Sequence, residues 1–109
     1  MELRYYRRPG GSEPVREFIN ALDKRERAKV DAAFTRIGQF GLAESGVQTR
    51  PIGGKLWEIK VSATRVFYLL ATRQVMVLLH AYKKQSQKAP GREIAIAEAR
   101  MKEVLYGIH

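Results

Sequence analysis

Leu56-Trp57-Glu58-Ile59-Lys60-Val61-Ser62-Ala63-Thr64-Arg65-Val66-Phe67-Tyr68-Leu69-Leu70-Ala71 sets the centre of the fold. Its two halves are rich in β-branched and aromatic residues and are broken only by Ser62-Ala63, the pattern of two strands joined by a tight turn. A two-residue turn there sets Val61 opposite Thr64, and therefore Lys60 opposite Arg65 on one sheet face, shared with Glu58 and Phe67. Trp57, Ile59, Val61, Val66, Tyr68 and Leu70 take the other face, which reads as the helix-packed core. Val66 to Leu70 is apolar at every position, as expected of a central strand covered on both faces. Val75 to Tyr82 supplies a third strand, so the middle of the chain is a three-stranded antiparallel meander.

Working outward, Leu3 to Tyr6 is a short strand running into the Pro9-Gly10-Gly11 turn. Ser12 offers an N-cap, and behind it Val15, Phe18, Ile19 and Leu22 form one apolar helical stripe. Asp23 can cap a second helix, with Glu26 placed as in a capping box and Val30, Ala33, Phe34 and Ile37 on its buried side until Gly38 and Gly41. Beyond a basic loop, Ile94, Ala97, Met101 and Leu105 predict a last helix ending near Gly107. The order β-α-α-β-β-β-α is α+β: a single compact domain over residues 1–109, with an antiparallel sheet and its helices packed on one face.

Composition narrows the functional classes. The 109 residues are 45% hydrophobic, enough for one core and against disorder. With no cysteine and two histidines, neither a disulfide framework nor a structural zinc site is expected. No apolar run reaches the roughly 20 residues that span a bilayer, and the first residues lack the apolar core of a signal peptide. The expected setting is the cytoplasm, away from the membrane.

Charge is the strongest functional signal. Of a net charge of +9, nearly all lies between Gly46 and Arg92, where Arg50, Lys55, Lys60, Arg65, Arg73, Lys83, Lys84, Lys88 and Arg92 face Glu58 alone. Such a concentration predicts a one-sided field that holds phosphates of RNA or DNA. Directly opposed like charges cost roughly a few tenths of a kcal/mol in a sheet, so the Lys60/Arg65 pair implies an anion between them. A turn at Thr72-Arg73 would bring His80 opposite Arg65, on the same face, whereas a three-residue turn would send it to the other; near-neutral titration makes His80 a candidate acid or base. A histidine satisfied at a strand end is the competing reading. Glu58 is read first as a cross-strand salt-bridge partner, with orienting Lys60 or acting as base as its alternatives, and Gln85 and Gln87 as groups able to meet base edges.

Gly11-Ser12-Glu13-Pro14-Val15, Leu56-Trp57-Glu58-Ile59-Lys60, Arg65-Val66-Phe67-Tyr68, the segment Leu78 to Pro90 and then Arg92-Glu93-Ile94 together resemble the phage-derived, HigB-type branch of the RelE/ParE toxin superfamily. The resemblance covers nearly the whole chain and implies a RelE-like fold. It further implies the toxin of a type II toxin-antitoxin system, a metal-independent mRNA endoribonuclease acting on the ribosome, with no cofactor. The cognate antitoxin is expected to be a small helix-turn-helix protein.

Attack of a ribose 2′-oxygen on the neighbouring phosphate needs a base, charge stabilisation in the transition state and an acid for the departing 5′-oxygen. On the resemblance, Lys60 and Arg65 take the positions of catalytic cations, and Lys83 and Lys84 match the basic segment after the last strand. Arg65 suits the transition-state clamp, because a guanidinium donates two parallel hydrogen bonds to phosphate. Lys60 is a phosphate ligand or proton acceptor. His80 completes the catalytic candidates, while Arg50, Lys55, Arg73, Gln85, Lys88 and Arg92 are expected to bind the RNA. The tyrosine that RelE-type sites carry late in the chain has no clear match; Tyr82 and Tyr106 are substitutes by position only. Two other readings stay open: a ParE-like gyrase inhibitor, and a non-catalytic RNA- or DNA-binding module.

Overall fold

In the computed structural model, which describes residues 1–85 and 90–107, the Ser62-Ala63 turn forms as the pattern dictates: Val61 pairs with Thr64 and Lys60 with Arg65. The elements are β1 (Glu2–Tyr5), α1 (Pro14–Asn20), α2 (Lys24–Phe40), β2 (Gln48–Gly53), β3 (Leu56–Val61), β4 (Thr64–Thr72), β5 (Val75–Lys83) and α3 (Gly91–Tyr106). They make one five-stranded mixed sheet in the order β1-β5-β4-β3-β2, with β1 parallel to β5 and every other pairing antiparallel. The expected α+β class and meander hold. The element order gains one strand, because β2 pairs along the outer edge of β3. Pro51 and a bulge before Gly53 hide it in the sequence, and an edge is where a sheet tolerates both.

One expectation is overturned: the helices do not share a face. Val15 and Ile19 of α1 and Val30 and Ile37 of α2 pack on Ile59, Val66, Tyr68, Met76 and Leu78. On the other side Ala97 of α3, flanked by Ile94, Met101 and Leu105, covers Leu56, Phe67, Leu69, Val77, Leu79 and Tyr82. The reason lies in β4, whose unbroken apolar run from Val66 to Leu69 is buried at every position. Leaving Phe67 and Leu69 uncovered would forfeit about 1.5–3 kcal/mol each.

The β4–β5 register also departs from expectation. Thr72 pairs with Val75, so the turn is Arg73-Gln74, and irregularities follow between Leu70 and Thr72 and between Phe67 and Tyr68. At the second, Tyr68 pairs with Leu78 and Phe67 with His80, which leaves Leu79 as an extra residue in β5. His80 therefore lies opposite Phe67, and Tyr82, not His80, faces Arg65.

The helix ends explain how the hairpin is held. Ser12 is not the cap of α1, which starts with Pro14 behind Glu13; the Ser12 hydroxyl accepts instead from Arg8 at 3.3 Å. Asp23 does cap α2, its Oδ1 accepting from the Glu26 N–H at 2.9 Å. Glu26 does not reach back to the cap. Its Oε2 accepts from the Ala63 N–H at 3.1 Å and from the Thr64 hydroxyl at 2.8 Å, pinning α2 to the β3–β4 turn. Among the described residues no helix is long and apolar enough to cross a membrane.

Candidate functional site

Three strands and the end of a fourth build one cationic cleft. The hairpin sets Lys60 and Arg65 side by side on the face that α3 partly covers, and β2 pairing places Gln48 opposite Lys60 and Arg50 opposite Glu58. Cross-strand partners share a face, so β2 delivers Gln48 and Arg50 to the same surface. Lys84, just past β5, closes the group: its backbone N–H donates to the Ala63 carbonyl at 2.8 Å. These residues and Thr49 line a cleft of about 340 Å³.

Arg65 is only 6% exposed. One guanidinium nitrogen donates to the Ser62 carbonyl at 2.7 Å and to the Thr64 carbonyl at 3.2 Å, which fixes the group against the turn. Its remaining nitrogens bond to no described residue and border the cleft. A planar cation held in this way is organised before an anion arrives.

Beside it lies Glu58, the one carboxylate among the described residues of the cleft. Glu58 is 1% exposed, and both of its oxygens are taken: Oε1 accepts from Arg50 Nε at 2.7 Å, Oε2 from the Tyr82 hydroxyl at 2.8 Å. Burial first, and then the hydrogen bond to the Glu58 carboxylate, push the Tyr82 hydroxyl far above its ordinary value. Tyr82 is thus a fixed donor, not a proton source near neutrality. Stacking on Phe67, with ring centroids 5.4 Å apart, holds its ring. Glu58 is the expected cross-strand partner, of Arg50 in particular, and its negative charge is spent inside the protein. Glu58 offsets the charge of Arg50, and the cleft's cations still outnumber its one described carboxylate.

The remaining candidates lie elsewhere. His80 turns to α3: its Nε2 lies 2.7 Å from Glu93 Oε1 and its Nδ1 3.2 Å from an Arg100 nitrogen. Arginine can only donate, so Nδ1 accepts, and Nε2 carries the proton given to Glu93. Burial lowers the imidazole below its ordinary value, against the pull of Glu93. It is a satisfied histidine at the helix–sheet interface, behind Phe67, and does not line the cleft. Lys83 pairs with Thr64, points away from the face of its neighbour Tyr82, and borders a separate cavity with Gln85. Lys55 and Arg73 sit in the turns at the other end of the sheet, about 20 Å away at roughly 3.3 Å per strand residue. Arg92 is exposed on the first turn of α3, Tyr106 is 68% exposed on its last, and Lys88 and Gln87 lie outside the described residues. Of the expected core aromatics Tyr68 is buried, but Trp57 is 37% exposed.

The cleft therefore gathers Arg50, Lys60, Arg65 and Lys84, and leaves Lys83, His80, Lys55, Arg73, Gln85 and Arg92 outside. Gln48 and the supporting role of Tyr82 were not foreseen; recognising β2 as a strand would have exposed the first. Among the described residues no cluster of three or more histidine or acidic side chains is placed to hold a metal ion. The donor set of the cleft suits an anion.

Residues 17–102 match the family model described as phage derived protein Gp49-like (DUF891). No curated protein matches the chain.

Proposed function

Because this chain belongs to the phage-derived Gp49-like family, and its motifs resemble HigB-type members of the RelE/ParE superfamily, we propose that it is the toxin of a type II toxin-antitoxin pair that cleaves messenger RNA in its cationic cleft. The observation that carries the reading is Arg65, locked by two turn carbonyls at the foot of a cleft whose described residues include three further cations and one carboxylate, which pairs with Arg50. A gyrase-binding surface has no need of such a converging set; a scissile phosphate does.

In the proposed reaction the ribose 2′-oxygen attacks the adjacent phosphorus as the bond to the 5′-oxygen breaks. The products are a 2′,3′-cyclic phosphate and a new 5′-hydroxyl. Arg65 and Arg50 grip the non-bridging oxygens, whose charge grows in the transition state. Lys60 and Lys84 flank them, one accepting the 2′ proton and the other supplying the proton for the 5′-oxygen. Glu58 and Tyr82 act by holding Arg50 in place. The reaction runs in the cytoplasm on ribosome-bound message, and an antitoxin encoded beside the gene holds it in check.

The test is induction of the chain, and of Arg65→Ala, in cells, with mapping of transcript 5′ ends and measurement of translation. Growth arrest with new 5′-hydroxyl ends that vanish in Arg65→Ala is expected. Arrest without new ends, accompanied by loss of gyrase supercoiling, would replace this reading with a ParE-like one. Salt-dependent RNA binding without cut products would leave a binding module.

A further inference from the structure

Around the start of α2 four cations, Lys24, Arg25, Arg27 and Lys29, outnumber Asp23 and Glu26 by two. Folding ties both carboxylates to the backbone and the β3–β4 turn, and neither forms an ion pair with these cations. The Asp23 carboxylate is committed to the helix cap, and that of Glu26 to the Ala63 N–H and the Thr64 hydroxyl. Burial acts to raise the Glu26 carboxyl, but hydrogen bonds from Thr64, Ser62 and Ala63, with Lys29 nearby, outweigh it and hold the group below its ordinary value. The four cations are exposed, and none forms an ion pair with a described residue. Cations in the first turns of a helix also oppose its macrodipole, so the dipole does not account for them.

Their position connects them to the cleft. Glu26 docks the first turn of α2 on the Ser62-Ala63 turn, Lys60 and Arg65 flank that turn, and the Lys84 N–H bonds to it from the end of β5. One end of the molecule thus carries the cleft on the α3 face and the α2 cations on the other, joined around a two-residue turn.

We infer that Lys24, Arg25 and Arg27 form a second seat for the RNA backbone, gripping phosphates of the strand whose scissile phosphate lies at Arg65. The inference rests on the reading of the cleft as an RNA site. The two fail separately. The α2 seat contributes affinity and leaves the bond-breaking step alone.

The experiment compares the full chain with a K24Q/R25Q/R27Q variant on a labelled single-stranded oligoribonucleotide over a salt series, each in an Arg65→Ala background so that nothing is cut. Three lost phosphate contacts are expected to make the slope of log affinity against log salt shallower by about 2. With Arg65 restored, single-turnover cleavage at saturating RNA is expected to be unchanged. A charge-preserving R25K/R27K variant should keep the original slope, and the thermal midpoint of the triple variant should equal or exceed that of the parent, since the macrodipole is relieved. Equal slopes and affinities in parent and triple variant would overturn the inference and leave the cleft reading standing. So would retained RNA binding with loss of binding to a polyglutamate probe, which would make the patch a seat for an acidic protein. RNA binding that depends on α2 in a chain that never cuts would sustain the inference and sink the cleavage reading.

Discussion

The Tyr82 hydroxyl donates to Glu58 Oε2 at 2.8 Å, passing beneath the intervening strand, and the same carboxylate receives Arg50 Nε at 2.7 Å on its other oxygen. Tyr82 stands on β5, Glu58 on β3 and Arg50 on the edge strand β2, so one buried carboxylate ties together residues from three of the five strands. The exposed end of this chain, Arg50, borders the cleft; the buried end fixes its direction. Tyr82→Phe removes a donor and leaves a carboxylate oxygen unpaired in a position 1% exposed. The expected cost is about 1–3 kcal/mol of stability, read from urea unfolding. An unchanged midpoint would mean that water satisfies the oxygen as well as Tyr82 does.

Arg65 offers a sharper test of the proposed chemistry. Lysine at this position keeps the charge but loses the planar fork that addresses phosphate while resting on the Ser62 and Thr64 carbonyls. Arg65→Lys is therefore expected to cut RNA slower by about 10²-fold or more, close to Arg65→Ala. Near-normal cleavage by the lysine variant would reduce the role of Arg65 to that of a point charge.

His80 makes the fold sensitive to mild acid. Its folded-state titration is depressed below its ordinary 6.5, so the unfolded chain takes up a proton first as the pH falls. The contribution is complete above about pH 6.5 and is lost progressively below it, toward the folded-state value. Protonation would also set an Nδ1–H against the Arg100 nitrogen that it now accepts from. Urea midpoints at pH 7.5 and 5.5 should diverge for the parent chain and converge for His80→Gln. A parent midpoint that does not change between the two pH values would contradict this account.

Glu26 joins α2 to the β3–β4 turn through hydrogen bonds that include those from the Ala63 N–H and the Thr64 hydroxyl, and Glu26→Ala breaks them. A loss of about 1–3 kcal/mol is expected, with faster amide exchange at Ala63. The depressed carboxyl of Glu26 adds a second acid dependence: stability present above about pH 4.5 and lost as the pH drops beneath it. Exchange at Ala63 unaffected by the substitution would show that the turn stands without its helix.

What could be read from the sequence was whatever depended on neighbouring residues. Ser62-Ala63 permits one tight turn, so the Lys60/Arg65 pair followed, and with it the centre of the candidate site. His80 was misplaced because bulges follow steric detail that alternation does not encode, and the extra residue at Leu79 shifts everything after it. The strand β2 escaped because Pro51 and Gly53 suppress its propensity, while its pairing with β3 is settled by tertiary context. The unbroken apolar run of β4 already implied cover on both faces; assigning all helices to one side ignored that implication. The α2 cations went unnoticed because Asp23 and Glu26 lie among them in sequence, and only the fold shows both carboxylates tied elsewhere.

The placement of α3 has a temporal side. Synthesis delivers α3 after all five strands, and until it docks, Phe67, Leu69, Val77 and Leu79 have no cover on that face. Tyr82 belongs to the same exposed layer, so the buried bond that orients Arg50 cannot be sheltered from water before the final helix arrives. A nascent or prematurely terminated chain thus carries all four cleft cations without the dry support beneath them.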